Sequence, residues 1–186
     1  MLEGDPIRRA RAVLAEGGIV ALRGLGGFLL AADAMNRVAI LRLRERKRRP
    51  AKPFAVMARS IEAVRQWCEV PPAAEAMLKS AEAPIVILDP RPDTALPVDA
   101  ISPDAHTVGL MLPATPLQVL LAEPLGDDPV PPFDMLIMTS GNRSGAPICL
   151  SNTEALRELG GVADLFLLHN REIRFRADDS LVAIRS

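Results

Sequence analysis

The stretch DMLIMTSGNRSGAP (134–147) sets the fold class. Its first half, DMLIMTS (134–140), is apolar on both alternating faces of an extended chain. That is the pattern of a strand covered on two sides, as in α/β sheets. Its second half, TSGNRSGAP (139–147), is small and rich in hydroxyls and glycine. Such a loop at a strand end lets backbone N–H groups and neutral side-chain donors approach an anion. In open α/β sheets, ligands bind at these carboxyl ends. An ordinary strand-to-turn connection explains the same residues, and local chemistry alone leaves both readings open.

Working outward, IVAL (19–22), LLAA (29–32), PFAVMA (53–58), IVIL (85–88) and HTVGLML (106–112) read as further strands. LFLLH, IRFR and SLVAI near the end read as late strands. Helices are predicted between them. Asp5-Pro6 supplies a cap and a first-turn proline, and Gly17-Gly18 stops that helix. A second helix starts near Asn36, carries Ala39, Ile40 and Leu43 on one face, and ends before Pro50. Ser60 caps a short helix containing Trp67, and another spans roughly 73–81. Thr115-Pro116 opens one that runs to about Glu123, and Ser151 with Glu154 has capping-box spacing for one ending at Gly160-Gly161. Residues 89–104 read as a long surface loop. This alternation predicts one α/β domain over residues 1–186, its sheet covered on both faces and at least partly parallel.

The chain has 22 basic and 23 acidic residues, a net charge of −1, and 49% apolar residues. That composition excludes disorder. With no Tyr and one Trp, there are few rings for base stacking. Cys68 and Cys149 lie in no CxxC pattern and are read as buried, reduced thiols of a cytoplasmic protein. No apolar run reaches the length of a membrane span, and no signal peptide is visible.

Against that neutral background stands RLRERKRRPAKP (42–53), with seven basic residues and one acidic. A solvated helix face is one reading, and it is the one taken for Arg42 and Arg44. The other starts from Pro50, which brings Lys47, Arg48 and Arg49 to a helix end and puts Lys52 on the extended segment beyond. Point charges and planar guanidinium forks gathered there suit a polyphosphate. LRGLGGF (22–28) resembles a phosphate loop but matches neither standard glycine motif, so a tight turn serves equally well. In RFRADDSLV, Asp178 and Asp179 either meet a magnesium ion or pair with Arg174 and Arg176, the second being favoured. His106 and His169 are read as structural. No Ser-His-Asp arrangement is evident.

In order, GGIVALRGLGGFLLAADA, LRERKRRPAKPFAVM, VGLMLPATPL, TSGNRSGAPI and FLLHNREIRFRADDSLV resemble the YrdC-like domains of hydrogenase-maturation carbamoyltransferases of the HypF type, from about Asp5 to Ile184. The wider family includes threonylcarbamoyl-adenylate synthases. The resemblance implies an open, twisted mixed sheet with flanking helices and a basic concave face. The family's K-x-R and S-x-N signature falls on Lys47 and Arg49, and on Ser140, Asn142 and Ser144, with Lys52 a further basic position. The threonylcarbamoyl enzymes resemble one another around PT-[DE]-T-x-Y-G-L, where this chain reads ALRGLGG (21–27). Loss of those hydroxyl partners points away from threonine and toward a smaller substrate.

The resemblance therefore implies attack of carbamate on ATP to give carbamoyl adenylate and pyrophosphate, with magnesium. Lys47, Arg49 and Lys52 would hold phosphates, with Lys47 and Arg49 the catalytic cations. Ser140, Asn142 and Ser144 would donate hydrogen bonds. Arg23, Gly24, Gly26, Gly27 and Arg176 would line the substrate pocket. Partners would be the other domains of a larger carbamoyltransferase and an acceptor of the HypE type. MLEG (1–4) would be an added start to an excised domain. Rival readings are a threonylcarbamoyl-adenylate-forming module for tRNA modification, a double-stranded RNA-binding module, and a docking domain without nucleotide.

Overall fold

The computed structural model describes residues 4–124 and 126–184. Its centre is β6 (Met135–Ser140), buried at every residue but the last. β6 pairs antiparallel with β2 (Phe28–Asp33) on one side and with β3 (Ala55–Ala58) on the other, so Ile137 faces both Ala32 and Val56. The eight strands run in the order β7 (Leu165–Leu167), β1 (Val20–Arg23), β2, β6, β3, β5 (Val108–Met111), β4 (Ile85–Leu88), β8 (Leu181–Ala183). The β1–β7, β3–β5 and β4–β8 pairs are parallel and the others antiparallel, so the sheet is mixed.

The pleat sorts side chains between two cores. Ala21, Leu30, Ala32, Val56 and Ile137 join one, and Val20, Leu22, Ala31, Met57, Leu136 and Met138 join the other. The first is covered by α2 (Arg37–Lys47), α3 (Ile61–Trp67), α4 (Pro72–Leu78), α5 (Val98–Ile101) and α7 (Asn152–Leu159). Among the described residues, the second is covered only by α1 (Pro6–Ala15) and α6 (Pro116–Ala122). Two helices cannot cover eight strands, and the uncovered part is a cleft.

Several expectations are corrected here. IRFR (173–176) forms no strand, because β7 and β8 already hold the two edges and the segment between them crosses the open face. The 89–104 loop contains the short helix α5. α4 is shorter than the predicted 73–81. By contrast, α2 ends before Pro50 as expected, at Lys47, where Arg48 adopts a left-handed conformation (φ 54°, ψ 49°). Of MLEG, residues 1–3 lie outside the described residues.

Candidate functional site: a two-chambered cleft

Two cavities share Ser140, Asp178 and Asp179 and form one cleft pinched at those residues. The first, of about 470 Å3, is walled by the Arg23–Leu29 turn, Ile148, His169 and Arg171. The second, of about 410 Å3, is walled by Arg49, Lys52, Phe54, Thr107 and Thr139. The C-terminal segment roofs the junction. Ala177 N donates to Gly26 O at 3.1 Å, Arg176 Nε donates to Ile148 O at 3.0 Å, and Ser180 O accepts from Ile85 N at 2.8 Å. A Cβ on Gly26 would stand 2.5 Å from Ala177 O, so the close approach requires glycine there. Gly24 N is satisfied by Gly27 O, whereas the N–H groups of Gly26 and Gly27 have no hydrogen-bond partner among the described residues. They are among the donors this turn can offer to a ligand.

The basic stretch divides by depth. Arg44, expected to be solvated, is only 7% exposed. Its guanidinium donates to Ala100 O at 2.6 Å, Ile101 O at 2.7 Å, Arg49 O at 2.8 Å and Lys52 O at 3.1 Å. It lies 4.3 Å from the Phe54 ring centre, with Arg49 at 5.2 Å from the same ring. Arg44 thus shapes the 49–53 turn and aims Arg49 and Lys52 at the second chamber. Burial lowers the pKa of both guanidiniums from their ordinary value, but an arginine stays charged. Arg42, the other residue read as solvated, is half-buried and donates to Gly17 O at 2.9 Å.

Lys47 is 1% exposed. Its Nζ donates to Ser140 O, to Asn142 O at 2.7 Å and to Asn142 Oδ1 at 2.8 Å. Ser140 Oγ donates to the same Asn142 Oδ1 at 2.8 Å, and Asn142 Nδ2 donates to Ala146 O at 2.5 Å. The loop N–H groups expected to meet an anion are largely committed. Gly141 N donates to Phe28 O, Asn142 N to Ser140 O and Ser144 N to Lys47 O. Burial first, and then the charge of Arg49, push the Lys47 amine down to about 7.

Of the residues singled out in the sequence, the cleft brings together Arg23, Gly24, Gly26, Gly27, Arg49, Lys52, Ser140, Asp178 and Asp179. Lys47, Asn142, Ser144 and Arg176 line neither chamber. Arg176 instead bonds Ile148 and lies 3.9 Å from Glu154. Asp178 and Asp179 form no ion pair among the described residues, contrary to the favoured pairing with Arg174 and Arg176. Desolvation, then Asp178, raise the Asp179 pKa. Arg23 is 7% exposed and donates to Asn152 Oδ1 at 3.0 Å and His169 O at 2.8 Å. His169, read from the sequence as structural, walls the first chamber and also braces its turn: Nδ1 accepts from Arg171 N, which leaves Nε2 to donate to Arg23 O. The sequence reading missed Arg44, Phe54 and Ile148. Arg44 had a signal, because Ile40, Leu43, Arg44 and Lys47 fall on one helical stripe and all are buried.

No helix among the described residues is long and apolar enough to cross a membrane. A family model, Sua5/YciO/YrdC, described as telomere recombination, matches residues 12–186. The carbamoyltransferase HypF of Rhodobacter capsulatus is 48% identical over 183 residues, covering 98% of this chain and 23% of that protein. Carbamoyltransferase HypF2 of Cupriavidus necator is 45% identical over 185 residues, covering 96% of this chain and 23% of that protein. The crystal structure of full-length HypF in the phosphate- and nucleotide-bound form superposes with a TM-score of 0.89 at 42% identity, covering 98% of this chain and 23% of that one. The chain therefore spans under a quarter of these relatives.

Proposed function

We propose, since this chain belongs to the Sua5/YciO/YrdC family, that its cleft makes carbamoyl adenylate as one step of a carbamoyltransferase in hydrogenase maturation. The observation that carries this is the continuity of the two chambers. Cations line one, unpaired backbone donors line the other, and Ser140 stands between them. A polyphosphate fits against Arg49 and Lys52, and a small planar acid fits against Gly26 and Gly27. A carbamate oxygen forms the new bond to the α-phosphorus of ATP, the bond from that phosphorus to the β-phosphate bridging oxygen breaks, and pyrophosphate leaves. No protein nucleophile is required. Catalysis is positioning and stabilisation of phosphate charge. The absence of threonine-type hydroxyls from ALRGLGG suits unsubstituted carbamate.

Asp178 and Asp179 would provide oxygen donors of the kind magnesium takes, typically one or two carboxylates alongside phosphate oxygens. No group of three or more metal-binding side chains exists among the described residues, so the other ligands would come from nucleotide and water. When bound, the ion would neutralise phosphate charge. The strap over the junction limits water access, which matters for hydrolysable carbamate and adenylate. The product would pass to another domain of the parent protein and then to a HypE-type acceptor in the cytoplasm.

The test is pyrophosphate–ATP exchange with the folded chain, magnesium and ammonium carbamate, with threonine plus bicarbonate in parallel. Exchange with carbamate alone is expected. Exchange that requires threonine would assign the chain to threonylcarbamoyl transfer. Silence in both from folded protein that binds ATP would show that the chemistry requires the neighbouring domains.

A further inference from the structure

We infer that Lys47 is a positioning residue that locks the Ser140–Asn142 loop into shape, and that the phosphates are met by Arg49 and Lys52 without it. The inference rests on the nucleotide reading of the cleft. A phosphate ligand must present donors to the cavity. The Lys47 ammonium has three N–H bonds, and all three directions are taken up by Ser140 O, Asn142 O and Asn142 Oδ1. It is 1% exposed and lines neither chamber, whereas Arg49 and Lys52 line the second.

The acceptors show what the lysine holds. Two carbonyls and an amide oxygen of one tight loop converge on a single cation, which cancels their mutual repulsion. Asn142 Oδ1 also receives Ser140 Oγ–H, so the amide is fixed by Lys47 and in turn fixes the Ser140 hydroxyl at the pinch between chambers. The return contact, Ser144 N to Lys47 O at 3.4 Å, ties the loop to the end of α2. Removing the amine would leave Asn142 O without a donor among the described residues, Ser140 O with only the Asn142 N–H and Asn142 Oδ1 with only the Ser140 hydroxyl, and so would free that pair to turn away.

Calorimetric titration with inorganic pyrophosphate tests this on wild type, Lys47→Met, Arg49→Gln and Lys52→Gln, from roughly 50 to 300 mM salt. Arg49→Gln and Lys52→Gln should each flatten the salt dependence of Kd. Lys47→Met should weaken binding by on the order of tenfold, through the misplaced loop, yet retain the wild-type salt dependence. Amide hydrogen exchange at Gly141 and Cys149, whose N–H groups anchor the loop, should quicken in Lys47→Met alone. A flattened salt dependence in Lys47→Met, or unchanged exchange, would overturn the assignment. Wild type that binds neither pyrophosphate nor ATP would overturn the nucleotide reading first, and this assignment with it. Should Lys47→Met fail to fold, a wild-type crystal soaked with pyrophosphate still decides. Nζ is expected on its three loop acceptors, and a phosphate oxygen within hydrogen-bond reach of it would refute the inference.

Discussion

Lys47 ties pH to folding. Burial, then the charge of Arg49, push its amine down to about 7 in the folded chain, against 10.5 for an ordinary lysine, a shift opposed by its three oxygen acceptors, which favour the ammonium. Between those values the unfolded chain binds a proton that the folded chain lacks, so stability from this residue rises with pH across that window and is lowest below it. Urea unfolding at pH 6, 7.5 and 9 should show wild type gaining on Lys47→Met as pH increases; parallel profiles would contradict this. The cysteines behave differently. Desolvation pushes Cys68 up to about 12 and Cys149 to about 11, so both are protonated thiols at neutral pH. Iodoacetamide at pH 7.5 should leave both unmodified until the chain is unfolded, and rapid labelling of either in native protein would show it to be reactive. At this scale the sequence was partly legible. Residue types marked the basic stretch as special, but composition cannot tell a cation that faces a cavity from one that faces carbonyls. Arg44 and Lys47 are inward-facing for the same reason as Leu43, which is their place on the helical stripe.

Elements were easier to read than the contacts between them. The caps at Asp5, Ser60 and Ser151 accept the backbone bonds expected of them, and Asn36 and Thr115 cap the helices that were read as starting there, because a cap acts within three residues. The strand β6 and its glycine loop were equally visible, since burial on both faces leaves an apolar run. The Gly24–Gly27 turn was ambiguous because its decisive partner, Ala177, lies about 150 residues away in sequence, and no local pattern reports so distant a contact. Gly26→Ala should break that contact and lift the segment around Ala177 while the sheet persists. Trypsin should then cleave at Arg171 or Arg174, both exposed, faster than in wild type, with far-ultraviolet circular dichroism unchanged. Unaltered digestion would mean that the strap is held elsewhere.

For the whole molecule, one buried ion pair joins segments distant in sequence. Arg11 is fully buried on α1 and donates to Asp128 Oδ2 at 2.6 Å, Leu121 O at 2.6 Å, Val130 O at 2.7 Å and Pro131 O at 2.9 Å, over the Phe133 ring. Arg11→Met retains volume and removes every one of those bonds, leaving three carbonyls without a donor and the Asp128 carboxylate with only the Val130 N–H. A clear drop in Tm is expected by calorimetry, and an unchanged Tm would mean that the loop relaxes to water at no cost. The network was invisible in the sequence, where Arg11 reads as one more charge on an amphipathic helix. The sheet order has a further consequence. β7 and β8 hold opposite edges, although only the 168–180 segment separates them in the chain. A ribosome would thus release seven strands and their two cores before the residues that roof the cleft. In a nascent chain the two chambers would stand open to solvent after the first seven strands have packed, until the segment that roofs them has been made.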